Sequence, residues 1–358
     1  MSDRHLISIS VALLMLAGCA SFESADEVQQ VLVPVYFITD RNIVASTDSS
    51  AVFGPDRGEV QQGVTQVALT SRRHADAVLA EPAGWQSYDR RISRDILLDT
   101  ALLSEQEFYA GLLDSAEQTS EKATLVVYIH GYNRSYESAV LDTADLMYEI
   151  NLSYPLVLYS WPSGGSVLSY ASDLVNTDWS TYHLSAFLEK LLDNEAIGKL
   201  HIIAHSLGNR ALLNSLKYLT DSQKLSTPEK IGQLILFAPD VDADIFSRDY
   251  LPVLASLADR TSLYVNAKDV PLQTSNRLNR YQRLGNASEK VFIASGVETV
   301  EISDAVTIFN SHDAHLEIPR VQQDLHALLN LQQAAAQRKT LAPSTDEAGR
   351  PYWKLLGP

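Results

Sequence analysis

Lys199–Leu219 reads KLHIIAHSLGNRALLNSLKYL, and its two halves carry different periodicities. Leu200 to Ala204 is a short apolar run suited to a buried strand, whereas Leu212, Leu213, Leu216 and Leu219 recur at helical spacing after Gly208. Ser206 sits at the break. A strand that turns straight into a helix forces a tight backbone at the turning residue, so small residues are needed two positions either side. Ala204 and Gly208 supply them. The arrangement is the G-x-S-x-G nucleophile elbow with alanine in the first place. Such an elbow lifts the serine hydroxyl above the strand ends and aims the following amide, here that of Leu207, at a developing oxyanion. A five-residue pattern with small flanks recurs by chance in many chains. The strand before it and the helix after it are what point to a catalytic serine.

Outward from this stretch, the same alternation continues. Strand patterns at Leu125–Ile129, Pro155–Tyr159, Gln233–Phe237, Thr261–Asn266 and Val297–Ile302 are interleaved with helical patterns at Tyr136–Ile150, Trp179–Leu192, Ala243–Leu257 and Val321–Ala336. Strands alternating with helices predict an α/β fold with a mostly parallel central sheet and helices on both faces. In such sheets the chemistry collects past the carboxyl ends of the strands. Upstream, Val31–Thr39 and Val64–Thr70 read as an antiparallel pair of strands, with Ser46–Gly63 as a surface loop between them. Ser71–Ser120 gives mixed signals apart from a helix near Ser104–Leu113. The expected α/β domain covers residues 31–338. Residues 339–358 read as a C-terminal tail docked through Trp353.

The amino terminus reads differently. Arg4 and His5 precede an apolar run from Leu6 to Leu16, which ends in Leu16-Ala17-Gly18-Cys19. This is the small-residue cleavage pattern of an exported protein, and it looks like a bacterial lipoprotein signal over residues 1–18. It implies that Cys19 is acylated, as by palmitate, and that residues 19–30 tether the body to a membrane. Ala20 in place of aspartate fits an outer-membrane location facing the periplasm. Cys19 is the only cysteine, so an intramolecular disulfide is excluded. No stretch after the signal is long and apolar enough to span a bilayer. The 358 residues carry a formal net charge of -16, which argues against a nucleic-acid partner and against binding to anionic lipid through charge.

A serine hydroxyl is a poor nucleophile until a base takes its proton, and the base needs an acid to fix its tautomer. In this elbow architecture the chain order is Ser, Asp or Glu, then His. Asp269 follows the strand pattern Thr261–Asn266 and lies nearer the histidines. Asp240 and Asp242 follow the preceding strand, where Asp240 could instead cap the helix near Ala243. His312 and His315 both fall after the last interleaved strand. The second oxyanion amide is expected from His130-Gly131-Tyr132-Asn133, at Tyr132, because glycine lets the backbone approach a substrate closely. Trp161-Pro162-Ser163-Gly164-Gly165 reads as a pocket wall or as a loop with a buried tryptophan. A metal finds little support: there is no His-Glu-x-x-His, and the acidic run from Asp240 to Asp244 lacks the glycine and glutamate of a calcium loop. No cofactor is expected.

Together, HGYN at His130, WPS at Trp161, AHSLGNR at Ala204, APDVDAD at Ala238 and YVNAKD at Tyr264 resemble a bacterial α/β-hydrolase family. It is catalogued as domain of unknown function 900 and described within the esterase/lipase superfamily. VYFITDRN and FGPDRG resemble that family's start, and the likeness runs from about Val31 to the last helix. The resemblance implies an α/β-hydrolase fold and a triad carried onto Ser206, Asp269 and His312. His312, rather than His315, has the family's spacing to a helical Asp-Leu, here Asp324-Leu325. Asp313 and Ala314 stand where the family has serine and an aromatic residue. The expectation is a serine hydrolase, a carboxylesterase acting on a small acyl ester, with a peptidase or acyltransferase left open because each would use the same triad. The competing expectation is a non-catalytic envelope lipoprotein that keeps the fold for binding.

Overall fold

A computed structural model describes residues 30–46, 51–70, 95–116, 122–225, 227–254 and 256–357. The expected signal and Cys19 lie outside them, as does residue 358. The described strands are β1 (Gln30–Ser46), β2 (Ala51–Thr70), β3 (Ile96–Leu102), β4 (Ala123–Ile129), β5 (Leu156–Ser160), β6 (Ile197–His205), β7 (Ile231–Phe237), β8 (Ala258–Val265), β9 (Val297–Glu301), β10 (Leu341–Thr345) and β11 (Pro351–Leu355). They form one sheet in the order β10-β11-β9-β8-β7-β6-β4-β5-β1-β2-β3. From β1 to β9 through the centre every neighbouring pair is parallel. The antiparallel pairs are β1 with β2 and β2 with β3 at one edge, and β10 with β11 at the other. This is the α/β-hydrolase fold expected from the sequence.

Helices cover both faces because the strand pleat sends apolar side chains alternately to each. Val126 and Tyr128 join the core under α2 (Tyr136–Glu149), while Leu125, Val127 and Ile129 join the core under α3 (Tyr170–Asp193) and α4 (Gly208–Asp221). On α4 the four leucines picked out by spacing are all buried. Each such burial is worth about 1.5–3 kcal/mol. α1 (Glu105–Asp114) opens on Ser104, which forms a reciprocal capping box with Glu107. No described helix is long and apolar enough to cross a membrane.

Several expectations change. The stretch Ser46–Gly63 is mostly strand rather than surface loop: β2 runs back along β1 from Ala51, with register shifts between Thr39 and Ala45 that absorb its polar residues. β3 has no alternating apolar signal because both its faces are largely exposed. The helix expected over Ala243–Leu257 is present without a break from Ala243 to Leu254, but it carries a π-helical turn at Phe246–Tyr250 before a last turn with Pro252. α5 (Val270–Asn279) is a helix that the sequence patterns do not predict. It begins on the Asp269 side chain, which accepts from the Leu272 amide, and stops at Arg280 with φ 65°.

The tail is the largest correction. Residues 341–355 form a hairpin that joins the sheet, with Trp353 and Lys354 paired parallel to Val300 and Glu301 of β9. A buried polar cluster holds its approach. Arg338 Nη1 meets Asp324 Oδ2 at 2.7 Å on α6 (Pro319–Leu329), and Tyr264 Oη donates to the same oxygen at 2.6 Å. Thr340 Oγ1 donates to the other Asp324 oxygen. Five-residue strands that themselves contain Pro343 and Pro351, joined by a turn with Gly349, carry too few alternations to be read from sequence.

Candidate active site

Past the carboxyl end of β6 the chain turns on Ser206, whose φ of 51° lies in the left-handed region. Such strain in a non-glycine residue persists only where the surroundings hold it. Asn209 does much of the holding: its Nδ2 donates to the carbonyls of Ala204, Ser206 and Phe237 at 3.1–3.2 Å. The Ser206 amide also donates to Phe237 O of β7. Gly208 is required by packing, since a Cβ there would stand 2.4 Å from His130 O and 2.8 Å from Ile129 O. No side chain caps α4 at its start.

His312 arrives on the loop between β9 and α6. Its Nε2 lies 3.0 Å from Ser206 Oγ, and its Nδ1 lies 2.8 Å from Asp269 Oδ2 and 3.0 Å from Oδ1. Asp269 is fully buried and accepts from Nδ1–H, which leaves Nε2 as the acceptor for the serine hydroxyl. The His312 backbone is held by His205 Nε2–H donating to its carbonyl at 3.0 Å. Burial opposes a positive charge on His312, but the charge and hydrogen bond of Asp269, helped by Asp313 and Asp240, outweigh it and push the imidazole up to about 9. His205 is pushed well down by burial and by His315 and His312, so it stays neutral beside them.

The alternatives fall elsewhere. His315 is buried with its Nε2 2.9 Å from Tyr128 Oη, packed on His205 and Phe237 rather than bonded to Ser206. Asp240 lines the cavity, but its oxygens accept from Ser275 Oγ at 2.6 Å and Tyr170 Oη at 2.8 Å. Burial pushes its carboxyl up. Nor does Asp240 cap the Ala243 helix; Asp242 does, accepting from the amides of Asp244 and Ile245. His326 bonds the Ile150 carbonyl and has a structural place.

The His130–Asn133 turn packs directly on the elbow. A Cβ on Gly131 would come within 2.5 Å of His205 Nδ1 and 2.9 Å of Ser206 Cβ, so only glycine permits this approach. Among the described residues, no backbone hydrogen bond uses the amides of Tyr132 or Leu207. The turn is fixed from behind by Arg41, to which the sequence assigns no role, and by Trp161, which it reads as a pocket wall or a buried loop residue. Arg41, 1% exposed, donates from Nε to Ser160 Oγ, from Nη1 to Ser163 O and from Nη2 to Arg134 O at 2.8–3.0 Å. Trp161 stacks on His130 and donates to its carbonyl at 2.8 Å, so it buttresses the turn from the core and does not wall the cavity. A signal for Arg41 was present in the VYFITDRN run, but only the fold shows what a buried guanidinium there holds.

Ser206 and His312 open into a cavity of about 480 Å³ with Val167, Val270, Leu278 and Ile308 among its walls. That is the size of a small-molecule site. No cluster of metal-ligating side chains occurs among the described residues. Residues 106–328 match the model of a family described as alpha/beta hydrolase of unknown function (DUF900). The chain belongs to that family. As a member it is an α/β-hydrolase, and the mostly parallel sheet is the one this family name describes. No curated protein matches the sequence significantly. Similar solved structures include the lin2722 gene product of Listeria innocua, at 12% identity and TM-score 0.40, covering 61% of this chain and 97% of that one. Another is the ydeN gene product of B. subtilis, at 15% identity and TM-score 0.32, covering 58% and 100%. A third is from a study of two fungal esterases of Rhizomucor miehei, at 11% identity and TM-score 0.36, covering 84% and 83%. The family match, not these distant likenesses, carries the assignment.

Proposed function

We propose that this hydrolase cleaves small acyl esters through an acyl-enzyme on Ser206, with His312 as base and Asp269 as its orienting acid. One observation carries the reading: a single imidazole lies 3.0 Å from the elbow serine on one side and 2.8 Å from a buried carboxylate on the other. In the proposed reaction His312 Nε2 takes the Ser206 proton as Oγ attacks the acyl carbonyl. The Tyr132 and Leu207 amides receive the oxyanion, and Leu207 stands at the positive end of α4. The imidazolium then protonates the leaving alcohol, and water activated by the same base releases the acid. Esters are the substrate of choice because an alkoxide leaves with less help than an amine. The apolar cavity walls suit the acyl part.

The test is steady-state hydrolysis of chromogenic acyl esters by the wild type, His312→Ala and His315→Ala. Turnover should fall by about 10⁴-fold or more in His312→Ala, and by less than about tenfold in His315→Ala. Equal loss in both variants, with both folded, would remove His312 from its role. We further propose a lipid anchor on Cys19 in the cell envelope, on the strength of the Leu16–Cys19 sequence alone. Labelled palmitate should enter the wild type and not Cys19→Ser.

A further inference from the structure

Arg134 lies two residues after Tyr132, and Asp313 follows His312 directly. Their side chains meet across the cavity, Arg134 Nη2 to Asp313 Oδ1 at 2.7 Å, as an ion pair set off the straight N–H direction. Arg134 Nε reaches Asp142 Oδ2 of α2 at 2.6 Å. Each partner sits on a loop with its own anchors. The Arg134 carbonyl accepts from Arg41 Nη2 and its amide donates to Ser163 Oγ at 3.3 Å. The carbonyl of His312 accepts from His205. The two loops also meet indirectly through His205, which packs on Gly131 and donates to the His312 carbonyl, but the ion pair joins them directly, at points within two residues of the proposed oxyanion amide and the proposed base.

We propose that Arg134 and Asp313 are a positioning pair that sets the distance between the oxyanion amide of Tyr132 and the base His312. The inference rests on the serine-hydrolase reading of the site. A guanidinium suits the task because its planar fork serves two carboxylates at once, Asp142 and Asp313, which a lysine cannot do with the same geometry. Both side chains are mostly buried, at 19% and 27% exposure. Against burial, which pushes it up, the Arg134 guanidinium holds the Asp313 carboxyl well below the usual carboxylate range, so the pair also contributes to stability. Its effect on rate falls on geometry, where a displacement near 1 Å costs about 100-fold.

The test uses the full chain with Arg134→Met, Arg134→Lys, Asp313→Asn, Asp313→Glu and the Arg134→Met/Asp313→Asn double variant. Fluorophosphonate titration counts reactive serines, so that kcat is expressed per active site. Each single neutralising variant should lose about 10- to 100-fold in kcat with KM changed less than about threefold. The double variant should be within about twofold of the worse single one, because the two residues act as one unit. Asp313→Glu and Arg134→Lys should recover part of the loss. Losses that multiply in the double variant would overturn the proposal. So would wild-type kcat per titrated serine, with the whole deficit in the fraction of folded protein. A folded wild type with no titratable serine would remove the hydrolase reading, and this inference with it.

Discussion

The two sides of the cavity are built on opposite principles. On the side of β8 and β9, the candidate working groups are side chains: Asp269 and His312 are linked by hydrogen bonds to each other and on to Ser206. On the side of β4 and β5, the candidate working groups are backbone amides, and the side chains around them act as props. Arg41 and Trp161 hold the His130–Arg134 turn from behind, and Gly131 matters for having no side chain at all. The difference teaches where chemical identity is demanded and where only shape is. The first side should fail when a functional group is altered without any change in volume. The second should fail when volume is added or a prop is removed, and tolerate loss of the Tyr132 hydroxyl.

The largest effect is expected at the centre shared by both sides, where Ser206→Ala should lower ester turnover by about 10⁴- to 10⁶-fold, measured as kcat with a soluble ester. Next comes Asp269→Asn, nearly unchanged in volume, with a loss of about 10³- to 10⁴-fold. It carries a pH signature as well. The base must be neutral to act, and Asp269 raises its pKa, so wild-type kcat/KM should rise with pH through about 9. In Asp269→Asn that acid limb should move to lower pH. The same raised value means that the Asp269–His312 contact stabilises the fold fully below 6.5 and less as pH rises through about 9, as thermal melting against pH would record.

On the other side, Gly131→Ala should cost about 100- to 1,000-fold in kcat, because the added Cβ has no room against His205 and Ser206 and must push the Tyr132 amide away. Tyr132→Phe is the smallest expected change, less than about threefold in kcat/KM. Its hydroxyl donates only to the carbonyls of Ser166 and Val167, away from the proposed oxyanion. A Tyr132→Phe defect as large as that of Gly131→Ala would break the comparison, since the phenol would then belong with the working groups.

This asymmetry also governs what the sequence could disclose. Working side chains leave type and spacing in the chain: the serine between Ala204 and Gly208, the aspartate after a strand, the histidine after a later one. The geometry brings together Ser206, Asp269 and His312, separated by up to 106 positions in sequence. The central strands were legible because burial on both faces makes them continuously apolar, as at β7, where every residue is buried. Props are harder to read. Arg41 looks like an exposed charge after a strand, and its burial depends on β2 and β5 closing around it. The edges were hardest, since β3 is largely exposed and β10 and β11 are short, so neither leaves a period to count. Asp324 shows the same limit: it enters the sequence reading only through its spacing from His312, and its burial under Arg338, Tyr264 and Thr340 depends on the folded tail.

The central claim is an activated serine at the elbow, and the most direct measurement is intact and peptide mass spectrometry after exposure to a fluorophosphonate. The account predicts one adduct per chain, carried by the peptide containing Ser206 and absent from folded Ser206→Ala. An unmodified, well-folded wild type, or an adduct that persists in Ser206→Ala, would contradict it.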